Sequence, residues 1–133
     1  MQTFLPYADF LKTAEVLDYR RLGKQRVEAL QLLRGQWKNH PASKMWQGYE
    51  FHLSVYAEVM CREWISRGYK DTCLEKILAE RQKFSDTGQP HWFGDDSFHR
   101  AHRSNLLRKQ PLYYQKFFAE PLDLPYVWPS ARL

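Results

Sequence analysis

The sequence predicts an all-α fold: a compact bundle of three main helices with short extra helices and an extended C-terminal tail. Apolar residues recur at steps of three and four along several segments, and the alternating pattern of a strand is almost absent. Proline and glycine fall between these segments, where they interrupt regular structure. Residues 1–133 are expected to form one domain, because a chain of this length suits a single core.

The first long helix is predicted from Thr13 to about Arg34. Thr13 is a suitable N-cap residue, and Gly35 follows the last turn. Gly23 lies inside this helix, where glycine costs roughly 1 kcal/mol relative to alanine. This glycine therefore indicates a bend or a close backbone approach.

The longest helix is predicted from Ser43 to about Arg67 and ends at Gly68. Its apolar positions recur at helical spacing: Trp46, Tyr49, Leu53, Tyr56, Ala57, Met60 and Trp64. Three further helices are predicted, at about Asp71 to Lys83, at Ser97 to about Lys109, and in a short aromatic segment that starts at Pro111. The final segment, EPLDLPYVWPSARL, is punctuated by proline and is expected to lie over the surface as a tail.

Neither a membrane span nor a secretory signal is supported, because no run of 18 or more apolar residues occurs and the N-terminus lacks a basic segment before an apolar one. We therefore expect a cytoplasmic monomer without a membrane partner. Cys61 and Cys73 are expected to be reduced thiols that serve in packing, since their spacing is not typical of a metal site.

The charge pattern indicates a surface for a polyanion. Net charge is +5 and aromatic residues make up 16% of the chain, a combination that suits phosphate binding together with base stacking. Two blocks lack acidic residues, Tyr19 to Val27 and Ser97 to Ala119, and both are rich in lysine and arginine. If the fold brings them together, they form a basic groove.

Glu28 lies beside this cationic set. At 100° per residue, one arc of the helix carries four polar residues: Arg21, Lys24, Gln25 and Glu28. One interpretation is an exposed Lys24–Glu28 pair without function, worth about 0.3–0.5 kcal/mol. The other is that the cations grip a phosphate backbone while the carboxylate acts at a reacting sugar. Helical spacing alone leaves both open.

Three segments occur in order along the chain: "LDYRRLGKQRVEALQLLRG" followed by "NHP", then "EWISRGYKDT", then "FHRAHRSNLLRKQPLYYQKFF". In this order they resemble the pyrimidine-dimer DNA glycosylase family, and most closely its bacterial and phage relatives. The resemblance implies a helical bundle whose N-terminus is threaded toward the catalytic face. It also implies DNA glycosylase activity on a damaged or modified pyrimidine in duplex DNA, with or without AP-lyase activity.

In that family the N-terminal amine attacks C1′ of the nucleotide, and a helix glutamate assists. An ordinary α-amine has a pKa of about 7.7–8.0, which leaves a useful neutral fraction near neutral pH. By resemblance, Glu28 takes the position of the catalytic carboxylate. The bulk of Gln2 is expected to prevent trimming of the initiator residue, so that Met1 carries the amine. An alternative alignment of "YRR" places Arg21 at the position of the acid instead.

The resemblance and the basic segments together identify candidate nucleic-acid-binding residues. These are Arg21, Lys24, Gln25, His40, His99, His102, Arg103, Asn105, Arg108, Lys109, Tyr113 and Tyr114. Tyr113 and Tyr114 are expected to stack on an unpaired base, or alternatively to seal the core together with Phe117 and Phe118.

A metal site is the alternative to nucleic-acid binding for two of the histidines. His99 and His102 are three residues apart, with His91, Asp95 and Asp96 nearby in sequence. Such a spacing recurs by chance in helices, and an aspartate before a helix is a common cap. We therefore expect no metal and no cofactor.

Two other functions remain open at this point. One is a nucleic-acid-binding protein of the same fold that lacks the chemistry. The other is an enzyme on free nucleotides, in which the same cations hold a single phosphate. Salt dependence separates the nucleotide enzyme from the DNA-binding alternatives, because only a groove with several phosphate contacts loses affinity steeply as salt rises.

Overall fold

The computed structural model describes residues 1–129, and these residues contain seven helices and no strand. The helices are α1 (Phe10–Val16), α2 (Tyr19–Leu33), α3 (Pro41–Trp46), α4 (Glu50–Ser66), α5 (Leu74–Arg81), α6 (Asp96–Lys109) and α7 (Pro111–Tyr114). The three longest are α2, α4 and α6, so the predicted all-α bundle is confirmed. The last four residues of the predicted tail, 130–133, lie outside the described residues.

The first predicted helix is in fact two helices. α1 is capped by Asp9, whose side chain accepts from the Lys12 amide at 2.9 Å. The chain then becomes extended at Leu17 and Asp18 before α2 begins. The Tyr114 hydroxyl accepts from the Asp18 amide at 3.0 Å across this break. Thr13 is a buried residue inside α1 rather than a cap, because the helix begins earlier, at Phe10. The break after α1 is stabilised by a long-range partner, which local spacing does not reveal.

The second predicted helix is also divided, into α3 and α4. Gly48 lies between them with φ +87°, a left-handed conformation that favours glycine. Its amide donates to Glu50 Oε1 at 3.0 Å, so a side chain at the start of α4 stabilises the turn. Gly68 follows the end of α4 with φ +92°, as predicted.

The core lies chiefly between α2 and α4, the two helices with the most extensive mutual contact. Cys61 and Cys73 are buried in it with free thiols, and burial raises the pKa of Cys61 further from neutrality. None of the helices in residues 1–129 has the length and apolar character that crossing a bilayer requires.

Gly23 is the point where α2 approaches the Trp64 side chain of α4. A Cβ atom added at Gly23 would lie 3.0 Å from two carbons of the indole ring. The indole is fixed from other directions, since its Nε1 donates to the Lys70 carbonyl oxygen at 3.0 Å. The glycine therefore marks the close approach that its position in the sequence indicates.

Gly23→Ala is expected to lower the free energy of unfolding by about 1 kcal/mol. Overpacking costs about 1–3 kcal/mol, and the helix preference of alanine offsets roughly 1 kcal/mol of it. Urea unfolding measures the difference. Lys24→Ala, one residue away on the exposed face, is the control and should stay within about 0.5 kcal/mol of wild type. A Gly23→Ala protein as stable as wild type contradicts the packing argument.

Candidate active site

The first residues of the chain pass through the interior of the bundle without forming a helix. Residues 2–6 are all buried, and Thr3 and Leu5 have no exposed surface. A buried segment outside secondary structure needs other partners for its backbone groups. Side chains from α2, α4 and α6 supply them, so the path of the N-terminus is set by specific hydrogen bonds.

Gln25 of α2 is the central partner of this segment. Its Oε1 accepts from the Phe4 amide at 2.9 Å, and its Nε2 donates to the Gln2 carbonyl oxygen at 3.0 Å. The Tyr56 hydroxyl lies 2.6 Å from Gln25 Oε1 and 2.8 Å from the Phe4 carbonyl oxygen. Gln25 is buried and therefore positions the segment from inside.

Two histidines of α6 form hydrogen bonds with the backbone N–H and C=O groups of Leu5. The Gly94 amide donates to His99 Nε2 at 3.0 Å, so His99 Nδ1 carries the proton and donates to the Leu5 carbonyl oxygen at 2.7 Å. The Leu5 amide in turn donates to His102 Nδ1 at 2.8 Å. Both rings are neutral in this arrangement. Burial lowers the pKa of His102 to about 3, and burial also lowers the pKa of His99.

This threading brings the chain start to Glu28. The Gln2 amide donates to Glu28 Oε2 at 3.2 Å. Backbone nitrogens of adjacent residues lie no more than about 3.7 Å apart, so the Met1 amine lies within about 7 Å of the same carboxylate oxygen. Within residues 1–129, Lys24 and Glu28 form no ion pair, and Arg21 instead contacts Asp18 at 3.2 Å.

His40 lies near the same two groups. Burial lowers its pKa, the positive N-terminal amine lowers it further, and the Glu28 carboxylate opposes both effects. Its Nδ1 accepts from the Ala42 amide at 3.0 Å and caps α3, which leaves Nε2 to carry the proton in the neutral ring. The edge of the Trp128 ring packs against it, with ring centroids 5.8 Å apart.

A cleft of about 980 Å³ opens at Met1 and Glu28. Its lining includes four basic side chains: Arg20, Arg21, Lys24 and Lys109. Of these, Arg20, Lys24 and Lys109 are exposed and form no ion pair among the described residues. The cleft therefore presents unpaired positive charge beside a carboxylate, a distribution that suits an anionic ligand.

The structure brings six of the sequence-predicted residues together around this cleft: Met1, Arg21, Lys24, Gln25, Glu28 and Lys109. Four other candidates are buried elsewhere: His99, His102, Asn105 and Tyr114. These four side chains are buried in the folded chain, so they are not available to contact nucleic acid as the sequence predicts. His99 and His102 hold the N-terminal segment, Asn105 donates to the Ala101 and Leu124 carbonyl oxygens, and Tyr114 contacts Asp18.

Arg103 and Arg108 bind the chain itself. Arg103 donates to Glu120 Oε2 at 2.9 Å and to the Pro6 carbonyl oxygen at 2.8 Å. Arg108 donates to the Leu122 carbonyl oxygen and to Asn105. Tyr113 is half-buried and does not line the cleft, and its ring centroid lies 4.8 Å from that of Tyr114. The C-terminal basic segment therefore fastens the tail and the N-terminal segment to α6.

The cleft lining also includes side chains that are absent from the predicted site residues, among them Tyr19, Arg20, Trp64 and Tyr126. Arg20 belongs to an acid-free block that the charge pattern does single out, whereas Trp64 has the spacing of a core residue. Tyr126 comes from the proline-rich tail, where no periodicity exists to place it. Its ring packs against His102 at 5.7 Å, and burial raises its pKa to about 12.

The histidines of the metal alternative have other partners. His99 and His102 bond to Leu5 through Nδ1, and Asp95 accepts from the Ser97 amide at 3.1 Å as the cap of α6. Within residues 1–129, no group of three or more histidine, cysteine, aspartate or glutamate side chains is arranged to hold a metal ion.

The fold and the cleft together define an all-α protein with a cleft rich in basic side chains. A family comparison narrows this class, because the model of the pyrimidine dimer DNA glycosylase family matches residues 1–77, more than half of the chain. The chain therefore belongs to the pyrimidine dimer DNA glycosylase family, whose members act on DNA. No curated protein and no solved structure matches it significantly.

Proposed function

We propose that this protein releases a damaged or modified pyrimidine from duplex DNA, with the Met1 amine as nucleophile and Glu28 as the assisting carboxylate. Membership of the family supports DNA glycosylase activity in general. The observation that carries the finer proposal is the hydrogen bond from the Gln2 amide to Glu28 Oε2 at 3.2 Å. It holds the chain start beside a carboxylate at the mouth of a basic cleft.

In the proposed reaction the neutral Met1 amine attacks C1′ and forms a C–N bond, while the bond from C1′ to the base breaks. The base leaves with the electron pair of that bond. In this proposal Glu28 stabilises positive charge on the sugar or accepts the proton that the attacking amine loses, and the departing base takes up a proton from Glu28 or from water. The sugar ring then opens as the C1′–O4′ bond breaks and O4′ takes up a proton, which yields a Schiff base. Loss of a C2′ proton and of the 3′ phosphate from this Schiff base cuts the strand.

The surrounding residues have positioning roles in this proposal. Gln25 keeps the N-terminal segment in its path through two hydrogen bonds to backbone groups. Lys24 and Lys109 are exposed cations at the cleft and are suited to hold phosphates on either side of the reacting nucleotide. Arg21 also lines the cleft, and its contact with Asp18 restricts the orientation of its guanidinium.

Reductive trapping tests the nucleophile. In the presence of borohydride, a duplex with an abasic site should form a covalent adduct with the protein, and peptide mapping should place it on Met1. Acetylation of the N-terminal amine should abolish the adduct, because an amide nitrogen is not a nucleophile for this step. An intact mass of the protein before reaction establishes that Met1 is present.

Three results would count against the proposal. An adduct that maps to a lysine after N-terminal acetylation would assign the chemistry to another amine. The absence of any adduct and of base release, together with steeply salt-dependent DNA binding, would favour a binding protein without the chemistry. Weakly salt-dependent binding of a single nucleotide would favour the enzyme on free nucleotides.

A further inference from the structure

Four side chains form a continuous stack that reaches the cleft. The Arg26 guanidinium carbon lies 4.4 Å from the centre of the Trp64 ring. Trp64 stacks on Tyr69 with centroids 4.3 Å apart, and Tyr69 stacks on Tyr19 with centroids 6.3 Å apart. Both ring pairs are inclined by only 27°. We call this set the aromatic ladder.

The inner end of the ladder is fixed. Arg26 forms a largely buried ion pair with Asp71, which also accepts from the Leu74 amide at 2.7 Å. The Trp64 indole is oriented by its bond to the Lys70 carbonyl oxygen, and Gly23 provides the space that it occupies. A fixed stack loses little conformational freedom when a further flat group is added.

The outer end of the ladder is exposed. Tyr19 retains 52% of its accessible surface and Tyr69 retains 42%, so both rings are open to solvent although they stack on one another. Tyr19 and Trp64 both line the same cleft as Met1 and Glu28. An interior packing role accounts for Trp64, but it leaves the exposed rings without an explanation.

Basic residues connect the ladder to Glu28. Around α2 at 100° per residue, Lys24 and then Arg20 lie between the direction of Glu28 and that of Tyr19. Both cations are exposed and line the cleft. Glu28 follows Tyr19 by nine positions, which is about 13.5 Å along the helix axis and about half a turn around it. The two side chains are therefore at least about four base-pair steps of 3.4 Å apart.

We propose that the ladder is a stacking platform for a nucleobase of the bound DNA, a few nucleotides from the target. The inference rests on the proposed function for the DNA strand that crosses the cleft. The backbone of that strand runs over Arg20 and Lys24, and an unstacked base continues the ladder beyond Tyr19. Stacking on an aromatic ring is tolerant of sequence because every base has a flat face. The platform therefore adds affinity without selecting the lesion.

The test compares two single-stranded decamers with the same number of phosphates. One consists of thymidines, and the other carries tetrahydrofuran residues, which lack bases and do not react with amines. Fluorescence anisotropy measures both affinities. Wild type should bind the thymidine decamer about 5- to 150-fold more tightly. Tyr19→Ala should lose most of this preference, Tyr19→Phe should retain it, and the salt dependence should stay unchanged.

Phe117→Ala is the matched control, because Phe117 is a similarly exposed aromatic side chain outside the cleft lining. It should keep the wild-type preference. Equal loss of affinity for both decamers in Tyr19→Ala, or an unchanged preference, would overturn the platform. Neither result affects trapping at Met1, which tests the proposed function alone. A normal base preference without a trapped adduct would support the platform and reject the chemistry.

Discussion

Glu28→Gln is expected to slow base release by about 10²- to 10⁴-fold, the range typical for loss of a group that transfers a proton or stabilises charge in the transition state. The glutamine retains an oxygen that accepts from the Gln2 amide, so the N-terminal segment keeps its path. The change therefore removes the negative charge and little else. Single-turnover kinetics on a duplex with a pyrimidine dimer measure the rate.

DNA affinity should stay nearly constant in this variant, because the basic side chains of the cleft are unchanged. The matched control is Glu75→Gln, which removes the same charge from the exposed first turn of α5. Its rate should equal that of wild type. A Glu28→Gln protein that releases the base at close to the wild-type rate would exclude the carboxylate from the chemistry.

Acidification from pH 7 to pH 5 is expected to lower the free energy of unfolding by about 2 kcal/mol through His102 alone. Its pKa is about 3 in the folded chain and about 6.5 when unfolded. Between these values the unfolded chain binds more protons, so stability falls as the pH falls through this window. Burial also lowers the pKa of His99, which adds to the loss in the same direction.

Urea unfolding at a series of pH values measures this slope, and His102→Asn tests its origin. The asparagine Oδ1 replaces Nδ1 as the acceptor for the Leu5 amide but does not titrate. The variant is expected to be less stable at pH 7, because the ring leaves a cavity, yet to show a flatter slope between pH 7 and pH 5. The pKa values of Glu58 and Asp71 are lowered in the folded chain, so the stability that these carboxylates contribute is lost at lower pH than the stability that depends on His102. An unchanged slope in His102→Asn would assign the acid sensitivity to other groups.

Local spacing predicts the helices of this fold but not the breaks between them. Apolar residues recur at helical spacing along α2 and α4, and Gly35 and Gly68 follow the ends of these helices. The break before α2, however, depends on Tyr114, which is 96 residues away in sequence. A contact of that range leaves no trace in a local pattern, which explains why α1 and α2 were predicted as one helix.

The residues of the candidate site likewise divide into those that the sequence predicts and those that it does not. The shared face of α2 could be predicted because Arg21, Lys24, Gln25 and Glu28 lie on one helix with a known period. The interior location of His99 and His102 could not be predicted. A histidine close to arginines in sequence can lie either in a core or in a nucleic-acid groove, and the local sequence is the same in both cases. Their role follows only from the path of the N-terminal segment, whose buried backbone needs their ring nitrogens.

The buried course of residues 2–6 also determines where a residue added before Met1 would lie. The segment is clamped at Leu5 and at Gln2, so any added residue would have to continue outward from a fixed point into the cleft. Such an extension would act as a plug in addition to converting the amine into an amide. Under the proposed mechanism, a purification tag at this end would therefore block the reaction in two ways.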